Sequence, residues 1–241
     1  MLSRKGLNMS DEFKISLAQL NATVGDLSGN TQKVMEAWEI ARDQRSDLIA
    51  FPELFITGYN PQDLILKTAF QKAATSSIDQ IAKACAQGPA IAIGGPFYDE
   101  NKLYNSYYIL ADGKIQAVIK KHHLPNEEVF DEVRLFSSGN VDGPFQIGKM
   151  RIGSPICEDA WHTDIVETLA ETGAQTLLVP NGSPYYRGKT DIRQNVMVSR
   201  VVESGLPLVY LNLVGGQDDQ VFDGGSFVLN PGGELVLQLP Q

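Results

Sequence analysis

The spacing of apolar residues predicts that strands and amphipathic helices alternate along the chain. Alternating apolar residues or a short apolar run predict a strand, whereas apolar residues three and four positions apart predict a helix. In the first half, the predicted order is strand, helix, strand, helix and three strands, at 15–20, 31–44, 47–51, 69–87, 90–95, 106–112 and 114–120. Asp112-Gly113, between the last two strands, is typical of a hairpin turn.

A similar order of elements returns in the second half. It comprises paired strands within 145–157, helix 164–173, strand 176–180, helix 190–205 and strands at 208–214, 226–230 and 234–239. Two such series predict an α/β fold, a four-layer α-β-β-α sandwich of two similar halves whose sheets face each other. Since no Pro- or Ser-rich linker separates the halves, we expect one domain over 14–241 after an N-terminal extension at 1–13.

Composition narrows the possible partners. The chain has 241 residues, 43% of them hydrophobic, which is enough to bury a core. Its 29 acidic and 20 basic residues give a net charge of -9, so we expect no nucleic-acid partner. No apolar stretch approaches the roughly 20 residues of a membrane span, and the N-terminus has no apolar segment typical of a signal peptide. We therefore expect a cytoplasmic protein without membrane contact, whose two cysteines stay reduced.

Three stretches place a reactive side chain at or near the end of a predicted strand. Glu53 follows an apolar strand in DLIAFPELF, Cys157 precedes two acids in GSPICED, and Lys121 follows a strand in KKHHLP. We expect Cys157 at the point of the second half that matches Glu53, because ligands of α/β sheets collect at the carboxyl ends of strands. Each residue alone also has a structural interpretation, namely a thiol that fills space, a solvated loop acid and a surface lysine.

Together these stretches resemble the nitrilase, or carbon–nitrogen hydrolase, superfamily. The matching segments are FPELFITGY, KHHLP, GSPICED and FDGGSFVLNPGGEL, and they follow one another in the family's order over nearly the whole chain. The resemblance implies a nitrilase-like fold, a catalytic set of Glu53, Lys121 and Cys157, and a supporting acid at Glu132. It also implies that the protein forms homo-oligomers.

Within that superfamily, CEDAW, NGSPY and GGQDDQVFDGGSF are similar to the glutaminase half of glutamine-dependent NAD synthetases. This resemblance implies that glutamine is hydrolysed to glutamate and ammonia, and that a synthetase domain uses the ammonia to amidate deamido-NAD. The candidate substrate-binding residues are Tyr59, Glu127, Glu158, Trp161 and Ser183. Glu127 stands where the family has Tyr.

The pyrophosphate loop of the synthetase half is missing from this sequence. ATP and magnesium are therefore expected only in a synthetase domain, either in a longer chain or in a separate one. No cofactor is expected in the domain described by these residues.

The three catalytic residue types fit amide hydrolysis by a thiol. A thiol is only a few per cent ionised at neutral pH, and two adjacent acids oppose its ionisation. Glu53 is expected to take the proton of Cys157 and later to activate the water that cleaves a thioester. Lys121 and the backbone N–H of Glu158 are expected to stabilise the oxyanion.

Two other functions stay open on the sequence alone. One is a free-standing amidase that acts on another small amide, and the other is a weakly active domain that responds to a synthetase partner. A zinc site is disfavoured, because the chain has three histidines and neighbouring His122 and His123 are expected to point to opposite faces of an extended segment.

Two glycine pairs fail to match a phosphate-binding loop. Gly94-Gly95 and Gly215-Gly216 lack the GxGxxG spacing in front of a helix. We interpret both pairs as turns at strand ends.

Overall fold

The computed structural model describes residues 12–127 and 129–241, so most of the predicted N-terminal extension at 1–13 lies outside the described residues. The helices are α1 (Leu27–Asp43), α2 (Thr68–Ala84), α3 (Glu132–Leu135), α4 (Thr163–Glu171) and α5 (Lys189–Ser204). The strands are β1 (Ile15–Leu17), β2 (Leu48–Ala50), β3 (Ala90–Asp99), β4 (Lys102–Ala111), β5 (Lys114–Lys120), β6 (Phe145–Ile147), β7 (Met150–Gly153), β8 (Thr176–Asn181), β9 (Leu208–Asn212), β10 (Val214–Gln217), β11 (Gln220–Asp223), β12 (Phe227–Leu229) and β13 (Leu235–Gln238). Within the described ranges, none of the helices is both long and apolar enough to span a bilayer.

Two sheets repeat one strand arrangement. The five-stranded sheet has the order β1-β2-β3-β4-β5, in which the first three strands are parallel and the last two antiparallel. The six-stranded sheet has β7, β8 and β9 parallel, β12 and β13 antiparallel, and β6 as an added edge strand. Helices α1 and α2 connect the parallel strands of the first half, as α4 and α5 do in the second. The predicted two similar halves are therefore present.

Alternating side chains divide the molecule into four layers. Leu48 of β2 packs with Leu178 of β8 in an apolar cluster between the sheets. The neighbouring Ile49 points the other way and joins the cluster under α1 and α2, while Leu177 and Val179 join the cluster under α4 and α5. Because successive residues of a strand face opposite sides, both sheets are covered on two faces. The predicted α-β-β-α sandwich is confirmed.

The repeat places the catalytic candidates at points that do not correspond. Glu53 follows β2, whose counterpart in the second half is β8, so the matching point is occupied by Gly182 and Ser183. Cys157 instead follows β7, the counterpart of β1. The prediction that Cys157 and Glu53 occupy equivalent positions in the two halves is wrong, because they follow strands that hold different places in the strand order of their sheets.

Turn chemistry is confirmed at one position and corrected at two. Asp112 and Gly113 have φ values of 53° and 79°, as a type I′ hairpin turn requires. The two glycine pairs at 94–95 and 215–216 lie inside β3 and β10, so their interpretation as strand-end turns is wrong. A Cβ at Gly94 would lie 2.1 Å from the backbone nitrogen of Leu54, so only glycine lets β3 pass this close to the loop that carries Glu53.

Candidate active site

A buried lysine holds two buried carboxylates beside the carboxyl end of β2. Lys121 Nζ lies 2.7 Å from Glu53 Oε1 and 2.9 Å from Glu132 Oε2, and the three side chains are fully buried. Asn105 donates a hydrogen bond to Glu53 Oε1, and the backbone N–H of Gly182 donates one to Oε2, each at 2.8 Å. Both oxygens of Glu53 are therefore fixed in position.

Strand geometry explains why Lys121 is inside the protein and its neighbour is not. The backbone N–H of Lys121 donates to the carbonyl oxygen of Asn105 at 2.9 Å, which extends the pairing of β5 with β4 by one residue. Since successive side chains of a strand point in opposite directions, Lys120 faces outward and binds Asp99 at 3.0 Å. The structural interpretation of Lys121 as a surface charge is therefore wrong, and so is that of Glu53 as a solvated acid.

Burial and neighbouring charges shift the pKa values of this cluster. Burial raises the pKa of Glu132, the charge of Lys121 lowers it and that of Glu53 raises it, which together give a pKa of about 7. Burial alone would lower the pKa of Lys121, but the charges of Glu132 and Glu53 raise it well above its usual range. Lys121 is therefore an ammonium at neutral pH, and Glu132 is a carboxyl that titrates near neutrality.

Tyr59 also belongs to this buried cluster. Its hydroxyl donates to Glu132 Oε1 at 3.0 Å. Burial raises the pKa of this phenol, and the negative charges of Glu132 and Glu53 raise it further. Tyr59 therefore stays a hydrogen-bond donor and fixes Glu132.

Cys157 occupies a sharp turn after β7. It begins a short 3-10 helix, Cys157–Trp161, and its φ of 48° lies in the left-handed region that residues other than glycine seldom use. Such strained positions cluster at functional sites, where the surrounding structure holds them. The Asp159 side chain holds this turn by accepting the backbone N–H groups of Ile156 at 3.1 Å and of His123 at 2.7 Å.

Cys157 is 4% exposed, and the charges of the buried cluster act on its thiol. Burial raises its pKa well above the usual range, the charge of Glu53 raises it further, and Lys121 acts in the opposite direction. The thiol is therefore protonated at neutral pH and needs a base before it can act as a nucleophile. Glu53 is the carboxylate with the largest effect on it.

An open cleft of about 570 Å³ lies beside the Cys157 turn. Its lining includes Glu127, Glu158, Trp161, Tyr186 and Lys189. Lys189 Nζ lies 4.7 Å from the ring centre of Trp161 and 4.6 Å from that of Tyr186. The cleft therefore combines acidic groups, one ammonium and aromatic walls.

Comparison with known proteins agrees with this geometry. The family model for carbon-nitrogen hydrolases matches residues 14–241. The chain belongs to the carbon–nitrogen hydrolase family. The resemblance to the nitrilase superfamily is thereby confirmed, and the protein is an enzyme of the carbon–nitrogen hydrolase type.

The relatives of this hydrolase include longer enzymes. A glutamine-dependent NAD(+) synthetase of Rhodobacter capsulatus is 54% identical over 232 residues, which are 96% of this chain and 42% of the relative. The solved structure of glutamine-dependent NAD+ synthetase from Acinetobacter baumannii with ADP has a TM-score of 0.90 and 38% identity, covering 95% of this chain and 43% of that one. The hydrolase thus spans less than half the length of these relatives.

A shorter solved relative of the hydrolase is the amidase from Nesterenkonia sp. AN1. A mutant of it carries the acetamide moiety of fluoroacetamide, covalently added at the active-site cysteine. Its TM-score is 0.85 at 26% identity, and the match covers 98% of this chain and 89% of the amidase.

The structure divides the five predicted substrate-binding residues of the hydrolase into two groups. Glu127, Glu158 and Trp161 line the cleft. Tyr59 and Ser183 are buried and absent from its lining. Only the first group is placed to touch a molecule in the open cleft without rearrangement. Cys157 is likewise buried and absent from the lining, so a substrate in the cleft reaches its thiol only when the residues between them move.

Sequence reasoning missed several residues that shape this site in the hydrolase. Arg193 is buried and donates to Ser183 Oγ at 3.1 Å and to the Ser183 carbonyl oxygen at 2.7 Å, while its ion pair with Asp223 measures 2.6 Å. It fixes the loop that carries Gly182, whose N–H orients Glu53. Lys189 was missed as well, although it follows NGSPY by four residues in the sequence, because nothing local shows that its ammonium faces the cleft.

The histidines of the hydrolase also lie differently from the prediction. The rings of His122 and His123 are 4.7 Å apart, and that of His123 stacks on His162 at 3.9 Å. The prediction that the first two point to opposite faces is wrong, because β5 ends at Lys120 and the following residues are not part of a strand. Together with Asp164, His122 and His123 form a group that could hold a metal ion.

Proposed function

We propose that this hydrolase is a glutamine amidohydrolase that releases ammonia through a thioester at Cys157. The observation that carries the proposal is the buried pair of Glu53 and Lys121 beside a buried, protonated thiol. The names of the longer relatives supply the substrate, because a glutamine-dependent synthetase needs a part that releases ammonia from glutamine. The ammonia would then serve a synthetase domain that amidates deamido-NAD, in a longer chain or in a partner.

The cleft has the charges that a free amino acid requires. Glu158 offers a carboxylate for the α-ammonium group, and Lys189 offers an ammonium for the α-carboxylate. The Lys189 ammonium lies over the rings of Trp161 and Tyr186, and these rings provide apolar walls for the methylene groups of the substrate. Glu127 adds a second acid to the lining, where it favours a positively charged end of the ligand.

Catalysis begins with transfer of the Cys157 thiol proton to Glu53. The thiolate attacks the side-chain amide carbon of glutamine, and the carbonyl electron pair moves to the oxygen. The Lys121 ammonium and the backbone N–H of Glu158 stabilise this oxyanion. Because the site is buried, such preorganised donors act more strongly than they would in water.

Collapse of the oxyanion breaks the carbon–nitrogen bond, and the nitrogen takes the proton from Glu53 and leaves as ammonia. A thioester between glutamate and Cys157 remains. Water then gives a proton to Glu53 and attacks the thioester, and Cys157 leaves as a thiolate that recovers the proton. The net reaction is glutamine plus water to glutamate plus ammonia, with every group of the enzyme restored.

A second candidate is amide hydrolysis without a synthetase. The Nesterenkonia amidase supports it, because the match covers 89% of that chain and a mutant of the amidase shows covalent addition at the active-site cysteine. The two candidates share the roles of Cys157, Glu53 and Lys121. They differ in the need for the charged ends of the substrate.

Ammonia release from glutamine, asparagine and propionamide tests both candidates. We expect release that is fastest with glutamine, complete loss in Cys157→Ala, and no loss in the control Cys85→Ala, whose thiol packs in the helix-covered core of the first half. Faster turnover of propionamide would favour the second candidate, and turnover in Cys157→Ala would refute both.

We also propose a cytoplasmic location, and the superfamily resemblance supports a homo-oligomer. Light scattering coupled to size-exclusion chromatography would test the oligomeric state, since a monomer peak at working concentrations would contradict it.

A further inference from the structure

A second cluster of polar side chains lies outside the catalytic cluster. One ring nitrogen each of His122 and His123 and one carboxylate oxygen of Asp164 lie within 4.8 Å of one another. Both histidines are partly buried, whereas Asp164 is exposed. In residues 12–127 and 129–241, this is the group of three such side chains that is close enough to share an ion.

Hydrogen bonding prepares one nitrogen of His122 as a ligand. His122 Nδ1 lies 2.7 Å from the carbonyl oxygen of Gly139, and a carbonyl can only accept, so Nδ1 carries the proton. The lone pair of Nε2 is then available. Histidines that bind metals are usually held in this way, with the other ring nitrogen donating to a carbonyl or carboxylate oxygen.

The spacing of the other two ligands also suits a metal. His123 Nε2 lies 3.0 Å from both carboxylate oxygens of Asp164. Ligands bound at 2.0–2.2 Å around a tetrahedral zinc ion are separated by about 3.3 Å. An ion bound to both therefore requires these two ligand atoms to separate by a few tenths of an ångström, and the His122 ring nitrogen, which lies within 4.8 Å of them, to complete the set.

We propose that His122, His123 and Asp164 form a binding site for a transition-metal ion of the zinc class. Two imidazoles and a carboxylate are a donor set that zinc accepts, with water in the fourth position. A hard ion such as magnesium is disfavoured, because it prefers oxygen ligands. The proposal does not depend on glutamine being the substrate.

A bound ion connects the two segments that carry the catalytic residues. His122 and His123 follow Lys121 directly, and Asp164 lies seven positions after Cys157. Hydrogen bonds already join these segments, because the Asp159 side chain accepts the backbone N–H groups of His122 and His123 at 3.1 Å and 2.7 Å. The ion adds a side-chain connection at the protein surface.

Calorimetric titration with zinc chloride tests this site. The titration uses the Cys157→Ala variant, because the thiol and its neighbour Glu158 could bind zinc independently. We expect one ion per chain, and Asp164→Asn is expected to weaken the affinity by at least about tenfold. Asparagine can still accept the backbone N–H of Ile165, as Asp164 does at 2.9 Å, so the fold should be kept.

His162→Ala is the matched control. His162 stacks on His123 and lies 3.4 Å from Glu158, but it is not one of the three ligands. Its loss should leave the zinc affinity nearly unchanged, and zinc should raise the unfolding temperature of this control but not of Asp164→Asn. Absence of micromolar binding would overturn the proposal, as would equal affinity in Asp164→Asn. Binding that disappears only in His162→Ala would place the ion at His162 and Glu158 and would also overturn it.

Discussion

Substitution of Lys121 by methionine tests the central feature of the proposed mechanism. The change keeps the length of the side chain and removes the ammonium that binds Glu53 and Glu132 at 2.7 Å and 2.9 Å. Loss of one oxyanion donor typically lowers kcat by about 100-fold to 1000-fold. The loss should be at least this large, because two buried carboxylates without their cation repel each other until one takes up a proton.

The same substitution should lower stability by an amount that the protein can survive. Removal of one partner from a buried ion pair costs about 3–5 kcal/mol. Solvent does not weaken this effect here, since the side chains of Lys121, Glu53 and Glu132 are fully buried. A domain of ordinary stability unfolds with about 5–15 kcal/mol, so the variant should fold with a lower unfolding temperature.

Initial rates of ammonia release at saturating glutamine measure kcat, and circular dichroism in the same buffer measures the folded fraction. Lys120→Met is the matched control, because Lys120 is adjacent but faces solvent and pairs with Asp99. This pair is partly exposed, and an ion pair near the surface contributes about 0–1 kcal/mol, so the control should keep kcat and lose little stability. A folded Lys121→Met variant with the kcat of Lys120→Met would refute the oxyanion role.

Two further substitutions probe the pKa shift and the cleft. Glu132→Gln should flatten the dependence of the unfolding free energy on pH. The folded-state pKa of Glu132, about 7, exceeds the usual 4.5, so the folded protein holds this proton more tightly than the unfolded chain. The unfolding free energy of the wild type therefore falls as the pH rises between these two values. Urea unfolding of the wild type and of Glu132→Gln at several pH values in this range measures the unfolding free energies. Parallel pH dependences of the two proteins would contradict the raised pKa of Glu132. Lys189→Met should raise KM for glutamine with little change in kcat, because the α-carboxylate does not react. The KM for propionamide, which lacks that group, should not change, and an equal rise for both amides would count against the role of Lys189.

Local pattern predicted most of the regular elements. Helices α1, α2, α4 and α5 follow from apolar periodicity, because each buries one stripe. The central strands β2, β8 and β9 follow from short apolar runs, because both of their faces are buried. Short elements without a full period were missed, including α3, the 3-10 helices Gln62–Leu66 and Cys157–Trp161, and the separate β10–β11 hairpin. Their conformation depends on turns and on contacts with other segments.

The sequence by itself also gave Glu53, Lys121, Cys157 and Glu132 as candidate site residues, since each belongs to a motif of a few adjacent residues. Only the tertiary structure shows which groups contact these side chains and orient them. The N–H of Gly182 that orients Glu53 comes from 129 positions away, and the helix that carries Arg193 looks like an ordinary surface helix in the sequence.

The charge states of the site likewise depend on the fold. The pKa of Glu132 is raised by burial and adjusted by Lys121 and Glu53, which adjoin it only in the folded chain. The proximity of His122, His123 and Asp164 also depends on the fold, because it requires β5 to end at Lys120 and α4 to start beside the following loop. Sequence patterns report the faces of single elements, whereas distances between charges and ligands arise only when distant elements pack together.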